Sequence, residues 1–455
     1  MQVAGYFKGV MGTGEHGRQL VAALRAQGIR VDLTTIHPDG SPEDDELSHQ
    51  PGEAATGDPF AGFSLLCVNA DMVPQVASQL GNWFFADHYT IGFWAWEVSS
   101  FPNRFASAFD HVDEVWVGSR HVRDAVSRIA TRPVLAIPQP VSLASDAGEA
   151  MPPGGLPDGF RFLFAFDYLS VFERKNPLAT IEAFTRAFPP GSGATLIVKS
   201  LNDDHDPAAH ERVRAAAAAH QDIHLLERRL SPSERDGLMR AADCYVSLHR
   251  AEGFGYTLAE SMWLGKPVIA TGYSGNVDFM NRENSYLVDY RLVPVGPGHG
   301  PYPPEGEWAQ PDIEQASGLM RHVFEHREEA SDRGARAASD IRRTHGPDAA
   351  GQAIRDRLEL LARARSRGAS HRLPTPTDRI SDLIHSGPVP PGRSRFGAPQ
   401  RAARRALLRL LKPVTVHQGL VDQELLNALE ALRARVQTLE DERRSEITSQ
   451  RSGRS

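Results

Sequence analysis

The chain has 455 residues, 41% of them hydrophobic and 24% charged, and its 50 basic and 57 acidic side chains leave a formal net charge of -7. That length exceeds one typical core, so two domains with additional elements are expected, and the acidic balance argues against nucleic-acid binding. The two cysteines, Cys67 and Cys244, both sit in apolar runs and read as reduced core residues. No apolar run approaches the ~20 residues of a membrane span, and the first residues read as a core strand rather than a leader. A cytoplasmic protein is expected, or one lying peripherally on the inner face of a membrane.

Residues 1–145 alternate short apolar runs with amphipathic stretches. "QVAGYF", "RVDLTTI", "FSLLCVN", "TIGFWAW", "EVWVGS" and "PVLAIP" read as buried strands, with "GRQLVAALRAQG" and "SRHVRDAVSRIA" as helices. Such alternation implies a parallel sheet covered on both faces. Early in this segment, "GTGEHG" places Gly12, Gly14 and Gly17 in a G-x-G-x-x-G pattern, and Asp32 follows at the distance where a dinucleotide fold puts its ribose-binding acid. The fit is imperfect, because "KGVM" separates the strand from the first glycine. Residues 37–59 read as an acidic surface insertion.

Residues 146–158 read as a Gly/Pro-rich linker. A second alternating series, 159–345, runs from "FRFLFAFDY" to "SYLVDY" and beyond, and residues 346–365 read as a closing helix. A flexible linker is expected over 366–400. In 401–447, "RAARRALLRLLK" carries Arg401, Arg404, Arg405, Arg409 and Lys412 beside a leucine face, which suits an anionic membrane surface. Leu425, Leu429, Leu432, Val436 and Leu439 then mark a short coiled-coil seam that would pair two chains or dock a partner.

The richest stretch is "SLHRAEGFGYTLAESMWLGKPVIATGYSGNVDFM". "GFG" follows a strand and opens a helix, so its backbone N–H groups can form an anion site. Glu260 lies two turns further on the same face, where a carboxylate can hold a diol while the helix start holds attached phosphates. Glu252-x7-Glu260 with "EGFGYTLAESMWLGKPVIAT" resembles the nucleotide-sugar signature of the retaining family 4 glycosyltransferases (glycosyl transferases group 1), which have the GT-B fold of two Rossmann-like α/β domains facing a cleft.

The resemblance covers about residues 1–365. It implies that Glu252 contacts the transferred sugar, that Gly253, Phe254, Gly255, Tyr256 and Thr257 contact the diphosphate, and that Glu260 contacts the ribose. "FDYLSVFERKNPLATIEAF" resembles the basic donor site, with Arg174 and Lys175 stabilising the leaving diphosphate. Ser170 stands where relatives often have a further arginine. "GVMGTGEHGRQL" resembles the glycine-rich loop that approaches the phosphates from the first domain, implicating Gly12 and Gly14. "GFWAWEVSSFP" makes Trp96 and Glu97 acceptor-site candidates, with His16 and His88 as nearby histidines.

The partners implied are a nucleotide diphosphate sugar and a glycan or lipid-linked acceptor, with no metal or other cofactor. Asp204 and Asp206 in "NDDHD" imitate the metal-binding acids of GT-A transferases and read as a loop. Base selection is expected around Lys199 and residues 227–234. Two other readings of the sequence stay open: an NAD-dependent oxidoreductase built on "GTGEHG", and a non-catalytic assembly subunit built on the coiled coil.

Overall fold

A computed structural model of the chain describes residues 1–8, 12–36, 42–44, 58–143 and 155–366, all within one compact unit, Met1–His371. Most of the acidic insertion and of the linker 146–158 lies outside the described residues. So do the linker beyond residue 366 and the basic and heptad stretches of 401–447.

The strands β1 (Gln2–Gly5), β2 (Asp32–Ile36), β3 (Pro42–Asp44), β4 (Phe63–Cys67), β5 (Tyr89–Trp94), β6 (Glu114–Val117) and β7 (Val134–Ala136) form one sheet, in the order β3-β2-β1-β4-β5-β6-β7. Every pairing is parallel except β2 with β3. Helices α1 (Gly12–Ala26), α2 (Val73–Leu80), α3 (Asn82–Phe85) and α4 (Arg120–Ser127) accompany it, with a 3-10 stretch at Asn103–His111. Strands β4 and β5 are buried along their whole length, as continuous apolar runs should be in a parallel sheet.

The second sheet contains β8 (Phe160–Asp167), β9 (Ala194–Leu201), β10 (Ile223–Leu226), β11 (Cys244–Ser247), β12 (Val268–Thr271) and β13 (Tyr286–Val288), ordered β10-β9-β8-β11-β12-β13 and wholly parallel. Its helices are α5 (Phe172–Lys175), α6 (Pro177–Ala187), α7 (Pro207–Ala218), α8 (Pro232–Ala241) and α9 (Tyr256–Trp263). Both sheets reverse their strand order once, at β1/β4 and at β8/β11. Ligands of open α/β sheets bind beyond the carboxyl ends of the strands at such points. This is the expected GT-B architecture.

Two features join the sheets. An antiparallel hairpin, β14 (Tyr290–Pro294) and β15 (Glu307–Pro311), follows the second sheet. Val295, Tyr302 and Trp308 from this region share an apolar cluster with Trp94, Trp96, Val98 and Phe101 of the first domain. The hairpin is followed by α10 (Ile313–Glu325), α11 (Arg327–His345) and α12 (Pro347–Ser366). Helix α12 returns to the first domain. A Cβ on Gly351 would lie 3.0 Å from the Ala23 carbonyl, and Arg355 donates to the Gln27 carbonyl at 2.6 Å. Arg357 pairs with Glu114, which is fully buried and also accepts from Trp116 Nε1 at 2.6 Å and Tyr89 Oη at 3.2 Å.

Candidate functional site

The loop after β11 carries Glu252, and α5, just after β8, carries Arg174 and Lys175. The switch point between β8 and β11 therefore brings the three together. Lys175 Nζ donates to Glu252 Oε1 at 2.5 Å, and Arg174 Nη1 lies 3.3 Å from Oε2 of the same carboxylate. Arg174 also donates to the Ala251 carbonyl at 2.9 Å, and its Nη2 reaches within 3.9 Å of Glu97 Oε1 from the first domain. Arg174 is almost wholly buried (5% exposed), whereas the Glu97 side chain remains 25% exposed to the cleft.

Burial favours neutral forms, yet here the charges win. Desolvation would raise the Glu252 carboxyl, but Lys175 and Arg174 overcome it and hold it at about 2. For Arg174, burial works against the charge, while Tyr302, Glu252 and Glu97 push its pKa up. Burial lowers Lys175, only partly opposed by Glu252. His249, on the same loop, is fully buried between Ser247 Oγ at 3.0 Å and Asn276 Oδ1 at 3.2 Å, and so braces the loop from beneath.

The start of α9 lies beside this cluster. Gly255 precedes it with φ +99, a left-handed conformation that strains any residue with a Cβ, and no side chain caps the helix. The N–H groups of its first turn are left for a ligand. Gly253 is needed for a different reason: a Cβ there would stand 2.6 Å from the Trp96 carbonyl oxygen across the domain junction. Ser119 Oγ donates to the Gly253 carbonyl at 2.6 Å, a second tie between the domains. Phe254 is buried against Phe279.

Glu260 is 4% exposed, and its nearest cation, Arg235 Nη2, is 4.0 Å away. Desolvation raises its carboxyl to about 7, with Glu15 and Asp236 adding to the rise and Arg235 opposing it. A buried carboxylate with so little compensation is poised to accept hydrogen bonds from a ligand. The first domain faces it with the start of α1. His16 stands 6.1 Å from the Tyr256 ring, and the Tyr256 hydroxyl is buried with no hydrogen-bond partner among the described residues. His16 itself is edge-on to Phe93 at 3.8 Å, and burial depresses it to about 3, so it is neutral.

Several expectations need correction. Gly12 and Gly14 belong to the first turn of α1 rather than to a loop before it. Gly17 serves packing, since a Cβ there would stand 2.9 Å from the Phe7 ring. Asp32 is the first residue of β2, opposite Gln2, at the amino end of the sheet. It cannot reach a ligand at the carboxyl ends, which removes the acid that the dinucleotide reading requires. His88 precedes β5 and so lies at the opposite end of that strand from Glu97. Trp96 is 5% exposed, packed by Phe101, Phe105 and Tyr302, with its indole N–H donated to the Ser100 carbonyl at 3.0 Å, so its ring is not available to an acceptor. Glu97 is the residue of that strand end that faces the cleft.

Asp206 caps α7 by accepting from Ala209 N at 3.0 Å. Lys199 is buried at the carboxyl end of β9, lowered to about 8 by desolvation and by Arg228. Arg235 and Tyr302 escaped the sequence reading. The first carried only the signal of a basic residue on a predicted helix, and the second that of a lone aromatic in a Gly/Pro-rich stretch.

Two facing parallel-sheet domains, with a charged cluster at the β8/β11 switch point that Glu97 of the first domain joins, have the GT-B fold. Residues 167–294 match the family profile described as Glycosyl transferases group 1. A comparison with curated protein sequences found no match.

Solved structures share the fold. Sucrose-phosphate synthase from Thermosynechococcus elongatus is 15% identical with a TM-score of 0.57, over 80% of this chain and 100% of that one. Anabaena Alr3699/HepE, in complex with UDP and glucose, is 15% identical with a TM-score of 0.54, over 79% and 100%. A glycosyltransferase from Rickettsia africae ESF-5 is 12% identical with a TM-score of 0.55, over 79% and 98%.

Proposed function

We propose that the protein is a retaining glycosyltransferase that moves a sugar from a nucleotide diphosphate sugar to a glycan or lipid-linked acceptor in surface polysaccharide biosynthesis. The observation that carries this reading is the cluster of Glu252, Arg174, Lys175 and Glu97 beside the uncapped start of α9, with Glu260 buried further along the same helix. Glu260 accepts from the ribose hydroxyls, the first turn of α9 holds the diphosphate, and Glu252 orients the sugar. As the bond from the anomeric carbon to the diphosphate breaks, charge develops on the β-phosphate, and Lys175 and Arg174 stabilise it without reorganising. The acceptor oxygen bonds to the same face of the anomeric carbon, and the departing phosphate oxygen takes the acceptor proton. The chain supplies orientation and excludes water, and no metal or other cofactor takes part. That the Anabaena structure holds UDP and glucose supports a donor of this class.

Outside the cleft, the leucine-faced basic stretch 401–412 supports a peripheral place on an anionic cytoplasmic membrane surface, and the heptads support pairing with a second copy or a partner. The test of the activity is a panel of UDP-, GDP- and ADP-linked sugars assayed for slow hydrolysis, with calorimetry of the matching nucleoside diphosphates. One donor should be hydrolysed, and proton NMR of the transfer product should show the donor's anomeric configuration. A protein that hydrolyses none of the panel and binds no nucleoside diphosphate is not this enzyme.

A further inference from the structure

Between β14 and β15 the chain makes an arm, residues 295–306, that lies beyond the segment matched by the family profile. It is built from turns that close on themselves: Val295 N donates to the Gly306 carbonyl at 2.7 Å and Gly296 N to the Pro304 carbonyl at 3.0 Å. Its base is tied to the catalytic loop, since Ala309 N donates to the Arg250 carbonyl at 2.9 Å and Arg250 Nη2 to Gln310 Oε1 at 2.9 Å. One side of the arm meets α5, where His299 Nδ1 stands 3.5 Å from Glu173 Oε2. The other side meets the first domain, where Arg104 donates to the Pro301 carbonyl at 2.5 Å.

At the centre of the arm, Tyr302 is buried with its ring 5.2 Å from that of Trp96. Its hydroxyl donates to Glu97 Oε2 at 2.8 Å. The other oxygen of that carboxylate, Oε1, faces Arg174 at 3.9 Å. A continuous chain of polar contacts therefore runs from Tyr302 through Glu97 and Arg174 to Glu252 and Lys175, crossing from the arm to the first domain and back into the second. Burial also pushes the Tyr302 phenol well above its ordinary pKa, so it stays a donor across the neutral range.

We propose that Tyr302 is a positioning residue for the transfer reaction: it occupies one oxygen of Glu97, so that the other faces Arg174 and the guanidinium is shared between Glu97 and Glu252. A guanidinium drawn wholly to either carboxylate would sit displaced from the leaving phosphate, and small displacements at such a site are costly to rate. The arm thereby makes the geometry of the donor site depend on the two domains being together. This rests on the transferase reading above.

The test is a double-mutant cycle of Tyr302→Phe, Glu97→Gln and both together, assayed with UDP-glucose or with the fastest donor of the panel. Tyr302→Phe keeps the ring against Trp96 and removes only the hydroxyl. The expected result is a kcat lower by roughly ten- to hundredfold, the scale of one hydrogen bond to a charged group. The donor KM, nucleoside diphosphate affinity and melting temperature should stay near wild type, and the double variant should be no slower than the slower single. Wild-type kcat in Tyr302→Phe, or additive losses in the double variant, overturns the proposal. So does a rate loss matched by losses of stability and diphosphate affinity, which would mark a structural role. A wild-type protein inactive on every donor overturns the transferase reading and this proposal together, whereas an active enzyme indifferent to Tyr302→Phe overturns only the latter.

Discussion

Glu260 offers a way to test the ribose contact through protons alone. In the free protein its carboxyl is raised from the ordinary 4.5 to about 7, with desolvation as the first cause. A nucleotide whose ribose hydroxyls donate to it favours the ionised form and must displace a proton at lower pH. At pH 6 about nine-tenths of the free protein carries that proton, and at pH 8 about one-tenth does, so affinity should rise roughly tenfold between the two and level off above pH 8. Calorimetry of a nucleoside diphosphate in buffers of different ionisation enthalpy should show nearly one proton released per ligand at pH 6.

The nucleotide's own phosphate also titrates near pH 6, which makes Glu260→Gln the necessary comparison: it keeps the phosphate titration and loses that of the side chain. The same carboxyl acts on stability with a defined sign. A folded-state value above the unfolded one contributes stability below 4.5 that is lost as pH rises through about 7. Moving from 4.5 to about 7, at about 1.4 kcal/mol per pH unit, makes that contribution roughly 3 kcal/mol. Glu260→Gln should therefore melt higher than wild type at pH 8 and close to it at pH 4.5. Identical pH dependence of binding in the two proteins would refute the ribose assignment.

Lys175→Ala should lower kcat by a factor on the order of 10²–10³ with a smaller change in acceptor KM, and EDTA should leave wild-type activity unchanged; steady-state kinetics with and without chelator reads both. Arg357→Ala strands the buried Glu114 carboxylate, so denaturant unfolding should show a loss of about 3–5 kcal/mol, while Arg357→Ala with Glu114→Gln should recover part of it. Gly253→Ala places a methyl group 2.6 Å from the Trp96 carbonyl, and small-angle scattering with nucleotide should show domains that no longer close fully, with kcat reduced. Removal of residues 401–455 should leave nucleotide affinity intact and abolish low-salt co-sedimentation with anionic vesicles, the attraction being screened within about 10 Å at 0.1 M salt.

The strands were legible because parallel sheets covered on both faces use unbroken apolar runs, and "FSLLCVN" and "TIGFWAW" are such runs. The helix start on which the anion-site reading rests was legible because "GFG" opens it, with Gly255 in a left-handed conformation, and Glu260 lies on the helix that follows. What the sequence hides is the far partner. Strand β14, "YRLVP", is largely exposed and has no alternating pattern, so the hairpin and its arm give no strand signal. Helix α12 shows an apolar stripe of Ile354, Leu358 and Leu361, but periodicity does not say which domain the stripe covers. Trp96 and His88 were misjudged for a related reason. His88 precedes its strand, so chain order puts it at the amino end, and proximity to a strand end does not say whether neighbours leave a residue such as Trp96 open.

The return of α12 has a consequence for how the chain is made. The first domain is not complete when the ribosome has finished residue 143, because Glu114 still lacks Arg357 and the face of α1 at Ala23 and Gln27 still lacks Gly351 and Arg355. Domains usually fold as units in the order of synthesis, the N-terminal one first. Here the second sheet, whose strands are contiguous from Phe160 to Val288, can finish while the first waits with an open flank. Splitting the gene at the linker would leave the first half without the helix that closes its flank and the second half with Val295, Tyr302 and Trp308 stripped of their first-domain packing, so each domain is finished only by the other's chain.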